Sequence, residues 1–314
     1  MNANSQAIIT FCSSLCTTDN AEPLSTAKWN ELAQKLLTHK LQPKDILNFS
    51  VHDFMTELEL DEDYSCRLMR LIDRSNLLFS ELWRYESQGI RICTRADLEY
   101  PMNLKRKLGL KCPPLFYFAG NIKFWEHKFI GYAGSRNIND DDVNFTRIAV
   151  KKTCAHNFCV VSGGARGTDS IAAQSSLSEG MPAAEYVSGN LSALLKKRDV
   201  MKSISEDRRL ILSVSEPEAK FHVWNATERN KYIYAQSDSA IIIRSDTKGG
   251  TWSGANENLN HKWCTLFCRD INYPGNKELI RLGAIPINQE WNIYTKILGR
   301  KIESHRQKEF YFGE

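Results

Sequence analysis

The sequence predicts an α/β fold, a doubly wound parallel sheet preceded by a helical N-terminal domain, and three observations carry that expectation. Up to about residue 90 the apolar residues recur at helical spacing. Beyond Gly89 they gather into short continuous runs separated by amphipathic stretches, at intervals of about 25 residues, which is how parallel strands covered on both faces read. These runs exit into glycine-rich or polar turns, the place where open sheets of the Rossmann-like type hold their ligands.

Residues 1–23 are polar and carry no clear period. From Leu24 to Lys40, Trp29, Leu32, Ala33, Leu36 and Leu37 form the stripe of an amphipathic helix, with Ser25 and Thr26 offering its N-cap. A second helix is expected near Val51–Leu60. A third is expected from about Asp61 to Glu86, with Leu68, Leu71, Ile72, Leu78 and Leu82 along one side and acidic residues at its start. Ile90–Cys93 alternates as a short strand. Further strands are expected at Leu115–Phe118, Phe129–Ala133, Phe158–Val161, Ala183–Val187, Leu210–Val214, Ala240–Ile243 and Trp263–Phe267. Helices are expected between them at Val143–His156, Asp169–Glu179, Asn225–Ala235 and Trp252–Asn260. The expected domains are helical over 1–95, Rossmann-like α/β over 96–290, and a basic helical tail over 291–314.

Composition narrows the class. Of 314 residues 42% are hydrophobic, 25% charged and 10% aromatic, which excludes collagen-like, coiled-coil and wholly disordered chains. Mean hydropathy is −0.41, and no apolar run approaches the roughly 18 residues a membrane helix needs. The N-terminus lacks the basic start and cleavage site of a signal peptide, so a soluble, cytoplasmic protein without membrane contact is expected. Nine cysteines form neither a C-x-x-C nor a zinc-type spacing. They read as buried thiols in a reducing compartment, with no metal and no cofactor. Charge is uneven: residues 1–95 hold 10 Lys and Arg against 13 Asp and Glu, whereas the remaining 219 hold 31 against 24.

At the turns the chemistry-bearing residues collect. Phe129–Ala133 runs into Gly134-Ser135-Arg136, and Phe158–Val161 into Ser162-Gly163-Gly164-Ala165-Arg166-Gly167-Thr168-Asp169. Leu210–Val214 runs into Ser215-Glu216-Pro217, and Ala240–Ile243 leads to Lys248-Gly249-Gly250-Thr251. Glycines let backbone N–H groups close on a phosphate, and the helix N-terminus that follows adds partial positive charge. Arg136 and Arg166 add full charges with fork geometry. Gly163-Gly164 alone reads equally as a tight turn; the whole set at one sheet edge reads as a site for a phosphate-bearing ligand. Phe221, His222, Trp224, Tyr232, Tyr234 and Trp252 accompany Lys220, Arg229, Lys231 and Lys248. Trp224 and Trp252 are therefore candidates for stacking on the bases of a single strand as well as for the core.

The motifs are, in order, Asp97-x-x-Tyr100-Pro101-x-x-Leu104, Pro113-Pro114-Leu115-Phe116-Tyr117-x-x-Gly120, Gly134-Ser135-Arg136 and Ser162-Gly163-Gly164-Ala165-Arg166-Gly167-x-Asp169. Ser215-Glu216, Arg229-Asn230, Gly249-Gly250-Thr251 and Pro274-Gly275-Asn276 follow, with Leu279-Ile280 and Gly283-Ala284 behind them. From Tyr100 to about Ala284 the chain thus resembles the DNA-processing protein A (DprA, also Smf) family, and its helical N-terminal region fits that family's sterile-alpha-motif-like or helix-hairpin module. The resemblance implies a Rossmann-like domain that binds single-stranded DNA through a basic pocket, protects strands and helps load a RecA-type recombinase, commonly as a homodimer. The site it implies comprises Gly134, Ser135, Arg136, Ser162, Gly163, Gly164, Arg166, Asp169, Glu216, Arg229, Asn230, Lys231, Gly249, Gly250 and Thr251. Ala172-Ala173-Gln174 stands where the family usually has Ala-Ala-His, and Arg229-Asn230-Lys231 where it often has Arg-Asn-Arg. The sequence ends before the family's C-terminal winged helix, so a member without that module is expected.

A second resemblance points elsewhere. Gly249-Gly250-Thr251-Trp252-Ser253-Gly254-Ala255-x-Glu257 is similar to the signature of the "lonely guy" phosphoribohydrolases, in which a glycine-rich turn holds a phosphoribosyl group and a carboxylate assists cleavage of an N-glycosidic bond. Glu216 and Glu257 are the carboxylates available for acid–base work; Glu257 also reads as a helix-surface charge, and Glu216 as the partner that orients Arg229 or Arg136. The function expected is sequence-tolerant binding of single-stranded DNA, with no catalytic residue assigned. The alternative is a nucleotide-binding sensor or a phosphoribohydrolase-like enzyme of the same superfamily.

Overall fold

The computed structural model describes residues 1–17 and 21–292, so the expected tail lies outside the described residues from 293 onward. Nine strands occur among the described residues: β1 (Arg91–Thr94), β2 (Leu115–Gly120), β3 (Lys128–Ala133), β4 (Phe158–Ser162), β5 (Ala183–Tyr186), β6 (Arg209–Ser213), β7 (Ser239–Ile242), β8 (Thr265–Arg269) and β9 (Ile285–Ile287). The chain forms two compact units, residues 1–125 with 187–225, and residues 126–186 with 226 onward.

The first unit joins the helical region to three antiparallel strands. Its helices Thr26–Thr38, Val51–Glu57 and Glu62–Asp73 start where the side chains of Ser25, Ser50 and Asp61 accept backbone N–H groups of the first turn, Ser50 and Asp53 forming a reciprocal capping box. Phe11, Trp29, Leu32, Leu36, Phe54, Leu68 and Leu71 share one core. A helix at Ala3–Cys12 stands where no periodicity was evident. It is buried nearly all round, Ser5 and Thr10 included, so polar residues interrupt the stripe that would announce it. The long third helix is two, Glu62–Asp73 and Ser75–Ser87. They meet at Arg74, whose buried guanidinium donates to the carbonyls of Leu15 (2.9 Å), Thr10 (3.1 Å) and Ser13 (2.7 Å).

The compact units do not follow a single cut at residue 95. β1, β2 and β6 pair antiparallel, Cys93 opposite Phe116 and Tyr117 opposite Ser213, and their apolar face packs on the helices: Leu115, Tyr117 and Ile211 share a core with Ile9, Leu78 and Leu82, joined by Leu191 and Val200 from two short helices after residue 190. The expected strands at Ile90–Cys93, Leu115–Phe118 and Leu210–Val214 are thus the antiparallel part of a mostly parallel set of strands, because a continuous apolar run records burial on two faces and not strand direction.

The second unit is the expected doubly wound, Rossmann-like sheet. Its strands are all parallel in the order β5-β4-β3-β7-β8-β9. On β3, Ile130 and Tyr132 enter a core with Phe145, Ala149 and Val150 of helix Asp140–Cys154 and Ala172 of helix Thr168–Ser178. Gly131, pointing the other way, lies against Ile233 and Ser237, where a Cβ would come within 2.6 Å of Ser237 Oγ. Helices therefore cover both faces. β9 was not anticipated: three residues with Pro286 at their centre make a weak pattern, and proline is tolerated there because the strand is at the sheet edge.

Candidate functional site

In the second unit β3, β4 and β7 are neighbours, with Gly131 opposite Val161 and Ala133 opposite Ile242, so parallel pairing brings their C-terminal turns together. The turns interlock through the backbone. Ser135 N–H donates to Arg244 O (2.9 Å), Thr168 N–H and Oγ1 to Ser135 O (3.3 Å each), Thr251 Oγ1 to Gly134 O (3.1 Å), and Asn230 Nδ2 to Gly250 O (2.9 Å). Gly167 has φ of +81°, and a Cβ on it would lie 2.5 Å from Ser135 O; this close crossing is what the glycine permits.

Beneath the Gly163-Gly164 turn lie two buried charged groups that act on each other electrostatically without forming an ion pair or a hydrogen bond. Asp169, in the first turn of helix Thr168–Ser178, accepts from the N–H groups of Gly163 (3.1 Å) and Ala165 (3.4 Å). Burial pushes its carboxyl pKa up to about 6, against the opposing pull of the Arg229 guanidinium. Arg229 is 5% exposed, and its Nε has no hydrogen-bond partner. Its guanidinium lies so close to Gly163 that a Cβ there would meet Nη1 at 1.4 Å. The N–H of Gly163 is thus turned to Asp169, and Arg229 serves the turn from within.

Arg136 and Arg166 are exposed and line an open cleft of about 640 Å³ with Asn137, Asn139, Gly167, Ser170 and Arg244. No carboxylate belongs to that lining among the described residues. Arg244 was not anticipated. It carries no glycine-rich signature, and its only signal is its place directly after the apolar run Ala240–Ile243, at the ligand-binding edge of the sheet.

Other expected site residues sit differently. Ser162 is buried, its Oγ 3.5 Å from Asp169 O. Lys231 is buried, paired with Glu228 and 5.3 Å from the Tyr232 ring centroid. Gly249 precedes helix Gly250–His261, which carries Thr251, half-buried Trp252 and Glu257. Glu216 falls in the first unit, where its charge bears on Cys16, Arg74 and Tyr117; the charges bearing most on Arg229 include those of Asp169, Arg136, Tyr234 and Glu185. Glu216 and Glu257 belong to different units. Tyr232 and Tyr234 are core residues, whereas Trp224 is 68% exposed and stacked on His222, centroids 5.8 Å apart.

Residues 91–297 match the family model described as DNA recombination-mediator protein A. The chain belongs to that family. The match takes in every turn of the site, from Gly134 to Thr251, and leaves the helices before β1 outside it. DNA processing protein DprA of Bacillus subtilis (strain 168) is 24% identical over 170 residues, which are 53% of this chain and 56% of the relative, so the match spans little more than half the length of that relative. The fold is shared with DNA processing protein A of Streptococcus pneumoniae, at a TM-score of 0.67 and 15% identity over 87% of this chain and 98% of that one. It is shared also with the Helicobacter pylori protein, at a TM-score of 0.55 and 24% identity over 69% and 98%. Among the described residues no helix is long and apolar enough to cross a membrane, and no cluster of three or more His, Cys, Asp or Glu side chains suits a metal ion.

Proposed function

We propose that this protein binds single-stranded DNA, its arginine cleft gripping the phosphate backbone without regard to base sequence. The observation that carries the reading is the cleft itself: Arg136 and Arg166, exposed on two neighbouring turns, face a space with no carboxylate in its described lining. Phosphate contacts hold and position a strand but carry no sequence information. Membership of the family supports the reading, as does the Helicobacter pylori structure, which concerns the single-stranded DNA binding mode of that protein. In the cytoplasm such a grip would shield exposed strands and present them to a RecA-type recombinase during recombination or DNA uptake. A homodimer would set two clefts along one strand, and linked weak sites multiply affinity through effective concentration.

The test is fluorescence anisotropy with labelled oligothymidine over a salt series. Three to four neutralised phosphates give a slope of log K on log salt near −2 to −3, at about −0.7 per phosphate for single strands, with duplex bound more weakly. Affinity unchanged between low and moderate salt overturns the reading. Release of free base from nucleoside monophosphates would favour the phosphoribohydrolase class instead.

A further inference from the structure

Arg244 leaves β7 beside the exit of β3, its carbonyl accepting the Ser135 N–H at 2.9 Å, and its side chain reaches the cleft that Arg136 and Arg166 line. Its guanidinium is held along one edge and one face. Nε lies 3.0 Å from Asp142 Oδ2, and the guanidinium carbon is 4.7 Å from the ring centroid of Tyr273. Asp142 is completely buried, and a buried carboxylate persists only when it is paired and hydrogen-bonded. Arg269 Nη1 meets its Oδ1 at 2.6 Å, and the Asn139 N–H donates to its Oδ2 at 3.1 Å.

Arg269 is itself buried and reaches a second carboxylate, Asp141, so its charge is consumed inside the fold. Arg244 differs. Among the described residues, its side chain makes one ion pair, Nε with Asp142, at close distance but without hydrogen-bond geometry, and its Nη nitrogens make neither hydrogen bond nor ion pair while the residue lines the cleft. A guanidinium fork matches the paired oxygens of a phosphate. Asp142 does not belong to the cleft lining, so its carboxylate aims the fork without standing in the ligand's way.

We infer that Arg244 is a third phosphate-binding residue of the cleft, taking the phosphodiester next to the one held by Arg136, and that Asp142 is its positioning residue. This rests on the reading of the cleft as a site for the backbone of single-stranded DNA. Neither the glycine-rich turns nor the family motifs name either residue.

Oligothymidine binding by the full chain tests it. Arg244→Ala is expected to weaken binding roughly tenfold and to lower the magnitude of the salt slope by about 0.7, one phosphate. Arg244→Lys should recover part of the affinity, because a point charge cannot fork. Asp142→Asn should weaken binding in the wild-type background and cost nothing further in the Arg244→Ala background. A merely structural Asp142 would lower stability in both backgrounds and leave the slope of the folded fraction unchanged. Should Asp142→Asn fail to fold, the two Arg244 variants decide. Wild type that does not bind overturns the backbone reading. Binding that is lost on Arg136→Ala and keeps its affinity and slope on Arg244→Ala overturns this inference alone.

Discussion

Under the Gly163 turn Arg229 is 5% exposed and shares its surroundings with a buried carboxylate, whereas Arg136 and Arg166, on the same set of strand exits, stand exposed on the cleft. The residue type is the same, but Arg229 comes from helix Val223–Gln236 and is buried, whereas Arg136 and Arg166 follow strands and are exposed. The buried Arg229 guanidinium packs under Gly163 and acts electrostatically on Asp169, whose carboxylate binds the turn's N–H groups, so both serve the shape of the turn. An exposed guanidinium keeps much of its solvation. A basic motif alone therefore does not say which arginine is buried and which stands on the cleft. Changes beneath the turn should act on stability, and changes on the rim should act on binding.

The largest effect should come from Gly163→Ala. Its Cβ would occupy the place of Arg229 Nη1, so the guanidinium must leave its pocket. Overpacking against a buried charged side chain costs about 3 kcal/mol, read as a fall in the urea midpoint at unchanged slope. If the clash with Arg229 is the cause, the same substitution in an Arg229→Ala background should cost far less. An equal cost in both backgrounds would place the need for glycine elsewhere.

A smaller effect concerns pH. Burial raises the Asp169 carboxyl from an ordinary 3.8 to about 6, so between pH 4 and 6 the folded protein holds a proton there that the unfolded chain has released. Stability then falls as pH rises through that window and is regained on acidification, by up to about 3 kcal/mol for a shift near two units. Urea unfolding at pH 7 and pH 5 should show about 1.3 kcal/mol of this gain for the wild type and a flatter response for Asp169→Asn. Identical pH responses of the two proteins would show that the Asp169 carboxyl is not raised.

What the sequence discloses, and what it withholds, follows the same division between local and long-range causes. The run Phe158–Val161 became β4 almost residue for residue because a strand buried on both faces has no choice but to be apolar. Leu115–Phe118 looked the same and became an antiparallel strand of the other unit, since direction depends on partners far along the chain. The glycine-rich turns were legible as strand exits, and parallel pairing of β3, β4 and β7 brings them together. The role of Gly163 was not legible, because what requires it is a side chain from another helix, and Arg244 was hidden because its importance comes from Asp142 on helix Asp140–Cys154.

The rim gives the sharpest form of the comparison. Arg136 is exposed, so Arg136→Ala should leave the urea midpoint within about 0.5 kcal/mol of wild type, as surface substitutions generally do. Its effect belongs to binding. Losing one charge-assisted contact to a phosphate is worth about 1.5–3 kcal/mol, a loss of roughly tenfold to more than a hundredfold in affinity for oligothymidine. Arg136→Lys keeps the charge without the fork and should fall between. Asp169→Asn, beneath the turn, supplies the contrast: its main effect should be on stability, with a smaller one on the affinity of the folded protein. If Arg136→Ala unfolds the chain and Asp169→Asn abolishes binding without touching stability, the assignment of roles by burial is reversed.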